Sequence, residues 1–224
     1  MEMKKILIFG GSGEIGSGIV QKFESENWST LCVGRSKLKT KSYLSWDPFK
    51  DIHKDDIKLF SSLGPFDSVC WAQGMNLSDS IYNFERELHE NLYKANVTYI
   101  LESLKFLLQN KLIKQPAKFC VISSIWQNLS KENKLSYSIS KAALKGLVLS
   151  LRNDLAKEGH LFNAVLPGVI NSPMTRENLT QEQISSVKNA TQFNRLASLE
   201  DVANSVYSLC SEHNSGITGN FLNI

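Results

Sequence analysis

A glycine-rich turn near the start of the sequence is the feature that most limits what this 224-residue chain can fold into. The segment KKILIFGGSGEIGSGIV, residues 4–20, passes from a short apolar run through four glycines in seven positions and then becomes amphipathic. An apolar strand that ends in a tight turn and opens a helix is typical of a phosphate-binding unit, because the helix N-terminus presents backbone N–H groups to the anion. The turn therefore predicts a strand, a turn and a helix that begin a nucleotide-binding sheet.

The glycines themselves allow two registers. Gly11, Gly13 and Gly16 spell G-x-G-x-x-G, whereas Gly10 and Gly16 fit a longer register in which Glu14 occupies a glycine position. A glycine turn without a ligand is a further alternative, since the motif gains weight only from its context.

Short apolar runs alternate with longer amphipathic segments along the rest of the chain. The predicted strands are Lys5–Phe9, Ser29–Val33, Ser42–Ser45, Ser68–Ala72, Phe119–Ser123, Phe162–Leu166 and Asn220–Asn223. The predicted helices lie near Ser17–Ser25, Ile52–Ser62, Glu85–Gln109, Tyr137–Lys157, Gln181–Ala190 and Leu199–Cys210. This alternation predicts an α/β fold, a single-domain Rossmann-type doubly wound parallel sheet with helices on both faces, over residues 1–224.

Composition argues against several classes of partner. The net charge is only +3, and the strongest basic cluster, Lys37, Lys39 and Lys41, is too small to predict nucleic-acid binding. The four cysteines are widely separated and lack metal-ligand spacing, so neither disulfides nor a metal site are expected. No apolar stretch approaches the ~20 residues that span a bilayer. We expect a cytoplasmic protein that acts on a small molecule, without a membrane or nucleic-acid partner.

The residues after the second predicted strand bear on the identity of the nucleotide. Gly34 is followed by Arg35 and Ser36, and no acidic residue occurs between Glu26 and Asp47. A carboxylate at this position would bind the ribose 2′-hydroxyl of NAD, whereas an arginine pairs with the 2′-phosphate of NADP. The sequence therefore favours NADP(H) over NAD(H), with Arg35 and Ser36 at the phosphate; a solvated surface cation is the alternative for Arg35.

A tyrosine and a lysine four residues apart form a second constellation. In Tyr137-Ser138-Ile139-Ser140-Lys141, the first and last side chains share one face of a predicted helix. A free phenol has a pKa of about 10, and a nearby fixed cation lowers that pKa. The pair therefore suits protonation of a carbonyl oxygen as hydride arrives, or the reverse reaction.

Several segments occur together in an order that resembles one known family. Ser124 follows a predicted strand and stands thirteen residues before Tyr137-x-x-x-Lys141, and the chain resembles the short-chain dehydrogenase/reductase family over nearly its whole length. The other segments that carry the resemblance are the glycine turn, ANVTYIL (95–101), VLPGVINSPM (165–174) and RLASLEDVANSVYSLCSEHNSGITGNFLNI (195–224). The family's T-G-x-x-x-G-I-G motif corresponds to the longer register, in which Gly10 makes the turn and Gly16 packs the helix.

The resemblance implies hydride transfer between a nicotinamide and a substrate carbonyl or alcohol. Tyr137 would be the general acid/base, and Lys141 would lower its pKa and bond the nicotinamide ribose. Ser124 would position the substrate oxygen, and Asn96 would hold a water that links Lys141 to solvent. The remaining implied cofactor contacts are Gly10, Ser12, Gly13, Ile15, Gly16, Asp47, Pro48, Ala72, Gly74, Pro167, Ile170 and Ser172. The resemblance also implies a homodimer or homotetramer built through the helices near Glu85–Gln109 and Tyr137–Lys157.

The chain departs from the family pattern at several points. Phe9 replaces the motif's threonine and Glu14 its middle glycine. Residues 71–74, WAQG, stand where the family has N-N-A-G, so the asparagine that ties neighbouring strands is lost. Residues 125–128, IWQN, lack the glycine expected after Ser124. These departures bear on cofactor affinity and substrate class rather than on reaction type.

Two other functions share these features. A nucleotide-binding sensor or scaffold without turnover is favoured by Glu14 and the altered N-N-A-G segment, and is opposed by the full set of catalytic residue types. An epimerase or dehydratase of the extended relatives shares Tyr-x-x-x-Lys, but 224 residues leave little room for its added substrate domain. Trp71, Trp126 and Tyr82 are candidates for shaping a substrate pocket, although core filling is the default for aromatic side chains.

Overall fold

The computed structural model describes residues 3–34, 43–50 and 53–224. Within these residues, seven parallel strands form a single sheet, and their carboxyl ends lie along the same edge of it. The strands are β1 (Lys5–Phe9), β2 (Ser29–Gly34), β3 (Tyr43–Ser45), β4 (Phe66–Trp71), β5 (Ile113–Ile122), β6 (Leu161–Leu166) and β7 (Phe221–Asn223). Their order in the sheet is β3-β2-β1-β4-β5-β6-β7, and every neighbouring pair is parallel. The predicted α/β doubly wound parallel sheet is confirmed.

The strand order reverses direction between β1 and β4, where Phe9 pairs with Trp71. Open parallel sheets bind ligands in the crevice beyond the carboxyl ends of the strands at such a reversal. The glycine turn follows β1 and the segment 72–75 follows β4, so both lie at this crevice.

Helices cover both faces of the sheet. They are α1 (Glu14–Ser25), α2 (Lys54–Leu63), α3 (Arg86–Tyr93), α4 (Tyr99–Gln109), α5 (Leu135–Asp154), α6 (Pro173–Asn178), α7 (Gln181–Asn189) and α8 (Leu199–Cys210). The side chains of β1 divide between two cores: Leu7 and Phe9 belong to the one that contains α4 and α5, and Ile6 and Ile8 to the one that contains α1 and α8. This two-sided burial explains why the strands have continuous apolar sequences rather than alternating ones.

An aromatic column replaces the polar tie that the family pattern places between neighbouring strands. The Phe9 and Trp71 rings stack with centroids 5.8 Å apart, and Trp71 stacks on Phe162 at 5.9 Å. The Trp71 indole Nε1 donates to Ser103 Oγ at 2.8 Å. Trp71 is therefore a core residue that joins β1, β4 and β6, whereas Tyr82 is 97% exposed.

The predicted helix Glu85–Gln109 is continuous but changes its pitch. A π-helical turn, Lys94–Thr98, joins α3 to α4. Such a turn takes one residue more than an α-helical turn and frequently occurs at functional sites. It buries Asn96 and Val97, of which Asn96 is a predicted site residue.

Local chemistry accounts for two further differences from the predicted elements. Helix α1 begins three residues before the predicted start, because the residues from Glu14 onward continue directly from the glycine turn. Helix α6 is not among the predicted elements, although Ser172 as N-cap and Pro173 at the first helical position are the usual signals for a helix start. Within the described ranges, none of the helices combines the length and the apolar character needed to cross a bilayer.

Candidate active site

The conformation of the glycine turn selects between the two registers. Gly10 has a φ of +77°, and a Cβ there would lie 2.6 Å from the backbone nitrogen of Gln73. A Cβ on Gly16 would lie 2.1 Å from the carbonyl oxygen of Gly10. A Cβ on Gly13 would make only an ordinary contact at 3.5 Å. A Cβ on Gly11 would lie 2.6 Å from Cys32 Sγ, a side-chain atom, whereas the contacts at Gly10 and Gly16 are to backbone. The positive φ of Gly10 and these backbone contacts favour the longer register.

The first turn of α1 faces the crevice with its backbone. Gly13 is the N-cap residue and contributes no side-chain cap, so the helix N-terminus relies on its own amides. Such an N-terminus binds anions through its N–H groups and the helix dipole. Glu14 is the first helical residue, so its carboxylate is attached to the same helix N-terminus at which a phosphate would bind.

A cleft of about 590 Å³ lies between the glycine turn and the segment that follows β4. Six of the predicted cofactor contacts line it, namely Gly10, Ser12, Gly13, Asp47, Ala72 and Gly74. Eight lining residues are not among the predicted contacts: Gly34, Phe49, Gln73, Met75, Asn91, Lys94, Ala95 and Tyr99. The last four recur at helical spacing on one face of the α3–α4 helix, which is the sequence signal that would have found them.

Of the other predicted cofactor contacts, those that the structure describes are not part of this cleft lining. Arg35 and Ser36 fall outside the described residues. Pro48 is buried and Ile15 packs into the core beneath α1, while Pro167 and Ile170 follow β6. Ser172 is buried and its hydroxyl accepts from the Thr175 amide at 3.3 Å, so it caps α6.

Tyr137, Ser124 and Lys141 converge beside this cleft. Ser124 follows β5, and its hydroxyl lies 3.5 Å from the carbonyl oxygen of Pro167. Lys141 is 5% exposed; its ammonium donates to the Ile122 carbonyl at 3.1 Å and lies 5.7 Å from the centroid of the Tyr137 ring. Burial lowers the pKa of Lys141 to about 8, because the charged form loses its hydration.

The surroundings of Tyr137 shift its pKa in the cofactor-free protein. Burial raises the pKa of Tyr137, and the hydrogen bond with Ser124 opposes that rise only in part. The net shift in the cofactor-free protein is upward because desolvation is the largest cause, and the lowering of this pKa by Lys141 stays a prediction. A second cation, Lys134, was not among the predicted residues; its ammonium lies 5.5 Å from the Tyr137 ring centroid and donates to Asn76 Oδ1 at 2.7 Å.

Asn96 ties the segment after β4 to the helix that carries Tyr137. Its Oδ1 accepts from the Met75 amide at 2.7 Å, while its Nδ2 donates to the Met75 carbonyl at 3.0 Å and to Ser140 Oγ at 2.9 Å. Ser140 Oγ in turn donates to the Tyr137 carbonyl at 2.8 Å. Both side-chain donors of Asn96 are thus bound to protein acceptors, which leaves one lone pair of Oδ1 for the expected water.

A buried carboxylate supports the start of α5 next to Tyr137. Asp79 is 4% exposed and accepts from the Ser136 amide at 3.0 Å and from the Ser136 hydroxyl. Ser136 Oγ also lies 2.8 Å from His89 Nδ1. Since a hydroxyl has one proton to give, donation to Asp79 requires that His89 donate from Nδ1. This chain of hydrogen bonds anchors α3, α5 and the segment after β4 to one another.

The residues around the cleft fit a nicotinamide dinucleotide. The volume lies within the range of ordinary small-molecule sites, and the glycine turn with the α1 N-terminus offers a place for its phosphates. A Cβ on Gly74 would lie 3.8 Å from Lys141 Nζ, so the cleft leads directly to the Tyr137–Lys141 pair. Gln73 adds a buried amide that has no hydrogen-bond partner among the described residues.

Comparison with known sequences gives consistent matches. A family model described as enoyl-(acyl carrier protein) reductase matches residues 58–224. The 3-oxoacyl-(acyl-carrier-protein) reductase FabG of Rickettsia typhi is 30% identical over 99% of this chain and 95% of the relative. The glucose 1-dehydrogenase of Gluconobacter oxydans is 26% identical over 98% of this chain and 89% of its own length.

Solved structures share the fold. A short chain dehydrogenase family protein from Francisella tularensis superposes with a TM-score of 0.85 at 23% identity, over 100% of this chain and 97% of the other. ElxO with NADP bound superposes with a TM-score of 0.87 at 22% identity, again over 100% of this chain and 97% of the other.

Proposed function

Because the chain belongs to the short-chain dehydrogenase/reductase family of oxidoreductases, we propose that it is an NADP(H)-dependent enzyme that interconverts a carbonyl and an alcohol, with Tyr137 as general acid/base. The observation that most directly supports this proposal is the convergence of Tyr137, Ser124 and Lys141 beside a cleft that fits a dinucleotide.

Bound NADPH would supply the hydride for reduction of the substrate carbon. Ser124 and Tyr137 act on the substrate oxygen: the Ser124 hydroxyl orients it by a hydrogen bond, and the Tyr137 hydroxyl donates the proton that makes it an alcohol. The pKa of Tyr137 is raised above that of a free phenol, so the hydroxyl is protonated at neutral pH, as the proton donor in a reduction must be. Lys141 holds a positive charge beside the phenol, which stabilises the phenolate that remains after the proton has left.

The preference for NADP(H) rests on the sequence after β2 and on relatives. Gly34 ends β2 without a carboxylate, and Arg35 is the next residue. A guanidinium there would pair with the 2′-phosphate of NADP. ElxO, which shares the fold, has been solved with NADP bound, and this supports the same cofactor here.

The substrate class is proposed as a small carbonyl or alcohol. The names of the relatives describe a 3-oxoacyl reductase and a sugar dehydrogenase, both of which act on the same pair of functional groups. As part of the proposal, the enzyme is a homodimer or homotetramer in the cytoplasm, a location that suits its four buried free cysteines. Light scattering after gel filtration tests the assembly.

Turnover of a defined panel tests the proposal. NADPH or NADH is mixed with an acetoacetyl thioester and simple ketones and aldehydes, and NADP with an aldohexose and simple alcohols, with nicotinamide absorbance as readout. We expect consumption of NADPH to exceed that of NADH, and Tyr137→Phe to abolish turnover while the Kd for NADPH stays within about twofold, since only the proton donor is lost. Tyr82→Phe is the matched control, because that hydroxyl lies on a side chain exposed to water.

Full activity of Tyr137→Phe on any substrate that the native enzyme turns over would refute the mechanism. Tight NADPH binding without turnover of any member of the panel would favour the alternative, a nucleotide-binding sensor or scaffold.

A further inference from the structure

Gln73 carries an unusual amide for a position in the wall of the cleft. Both Nε2 and Oε1 of this side chain are buried, and neither makes a hydrogen bond with any described residue. The other buried side chains without partners in the described ranges leave one atom each unpaired, and none of them lines this cleft. Gln73 is thus a residue of the cleft lining whose amide donor and acceptor are both shielded from water and both unpaired in the cofactor-free protein.

The position of Gln73 is fixed by its neighbours in the chain. The backbone of Gln73 packs against Gly10, since a Cβ on Gly10 would lie 2.6 Å from the Gln73 nitrogen. The next residue, Gly74, packs on the other side against Asn96 Oδ1 and Lys141 Nζ. Gln73 thus stands between the turn that receives phosphates and the residues proposed to act on the substrate.

The chemistry of the amide restricts what would satisfy it. A phosphate oxygen only accepts hydrogen bonds and would satisfy Nε2 alone. A hydroxyl both donates and accepts, so one ribose hydroxyl, or two adjacent ones, satisfies both atoms. An unpaired buried amide is costly, whereas an apolar side chain of similar size in the same place carries no such cost.

From these contacts we infer that the Gln73 amide binds a ribose hydroxyl of the dinucleotide, and that it is a determinant of cofactor affinity particular to this chain. The inference rests on the proposed function only in taking a nicotinamide dinucleotide as the ligand. It goes further in assigning a contact to a side chain outside the glycine turn and outside the proposed catalytic group.

A ribose-binding role and a packing role predict different outcomes for Gln73→Met, which keeps the length of the side chain and removes the amide. If the amide binds ribose, the Kd for NADPH rises by about 5- to 30-fold, as expected for one or two lost hydrogen bonds. The urea midpoint of the cofactor-free protein then stays the same or increases, because an unpaired buried amide is gone. If the amide only supports packing, the midpoint falls and the Kd hardly changes.

The experiment measures NADPH binding by fluorescence titration and cofactor-free unfolding in urea, for the native protein, Gln73→Met and Gln73→Ala. Gln73→Ala also removes the amide and therefore provides the same test if Gln73→Met does not fold. Gln127→Leu is the matched control: Gln127 is also a buried glutamine with an unpaired Nε2, but it does not line the cleft. It is expected to lower the midpoint, because its bond with Ser123 is lost, without raising the Kd.

Titrations with fragments locate the ribose. If Gln73→Met weakens adenosine 2′,5′-bisphosphate, the contact is to the adenosine ribose; if it weakens nicotinamide mononucleotide, the contact is to the nicotinamide ribose. An unchanged Kd for NADPH in a folded Gln73 variant would overturn the inference and leave the proposed function intact. Failure of the native protein to bind NADPH or NADH would overturn the proposed function itself.

Discussion

Replacing Lys141 with methionine should make the protein more stable at neutral pH while removing its activity. Lys141 is buried, and burial alone lowers its pKa from 10.5 to about 8. A lowered pKa in a basic group means that folding disfavours the charged form. The cost of burying the Lys141 ammonium is therefore absent above pH 10.5, grows as the pH falls from 10.5 to 8, and is complete below pH 8.

The size of the effect follows from the two pKa values. Keeping the ammonium in the folded protein at pH 7 costs about 3 kcal/mol relative to the unfolded chain, and at pH 10 the cost falls to about 1 kcal/mol. Lys141→Met removes this cost, but it also removes the bond to the Ile122 carbonyl; because a neutral amine donates to a carbonyl as an ammonium does, this loss of about 1 kcal/mol is similar at both pH values. The advantage of the variant over the native protein should therefore shrink by about 2 kcal/mol from pH 7 to pH 10.

Urea unfolding of both proteins at pH 7 and pH 10 measures this change, because other groups titrate alike in the two proteins and cancel in the difference. Lys145→Met is the control, since Lys145 lies one turn further along α5 with its side chain exposed. A difference between Lys141→Met and the native protein that stays constant over this pH range would refute the argument that the buried charge strains the fold. Retention of turnover in the variant would refute its role in the proposed reaction.

Two further predictions concern the glycine turn. Gly16→Ala should weaken NADPH binding at least tenfold and lower the urea midpoint, because its Cβ would lie 2.1 Å from the Gly10 carbonyl oxygen. Gly18→Ala is the control: its nearest contact would be at 3.6 Å, so it should stabilise α1 by up to about 1 kcal/mol. Equal effects of the two variants would contradict this interpretation of the turn. Glu14→Gly should tighten NADPH binding several-fold in low salt and less in high salt, because a carboxylate at the α1 N-terminus repels the pyrophosphate. Titration of both proteins with NADPH at two salt concentrations measures this effect. An unchanged Kd would mean that the Glu14 side chain does not affect binding.

The elements that the sequence predicted best are those whose signals are local. Strands β1 and β6 are largely apolar runs followed by glycine or proline, and the prediction places their ends within one residue of the structure. Helix α8 matches the prediction at both ends, because Ser198 caps it and Asp201 completes the capping box. Ser124, Tyr137 and Lys141 converge as the motif spacing implies, since the strand and the helix that carry them are regular.

Features that depend on tertiary packing lay beyond the sequence. The hydrogen bonds that Ser136 makes with Asp79 and with His89 join residues 57 and 47 positions apart, so no local pattern marks them. The raised pKa of Tyr137 depends on its burial, which neither its helix nor its spacing to Lys141 reveals. The orphan amide of Gln73 is equally a property of the assembled cleft.

The π-helical turn at Lys94–Thr98 has a consequence for how this site is encoded. Each residue advances an α-helix by about 100°, so one residue added within a turn rotates everything downstream by that angle. The apolar positions of α4, among them Ile100, Leu104 and Leu107, keep their place in the core only because that rotation is absorbed in a single widened turn. Asn96 makes its bonds to Met75 and Ser140 from within this widened turn, which depends on the extra residue. The number of residues between α3 and α4, and not only their identity, is thus part of the information that forms the site.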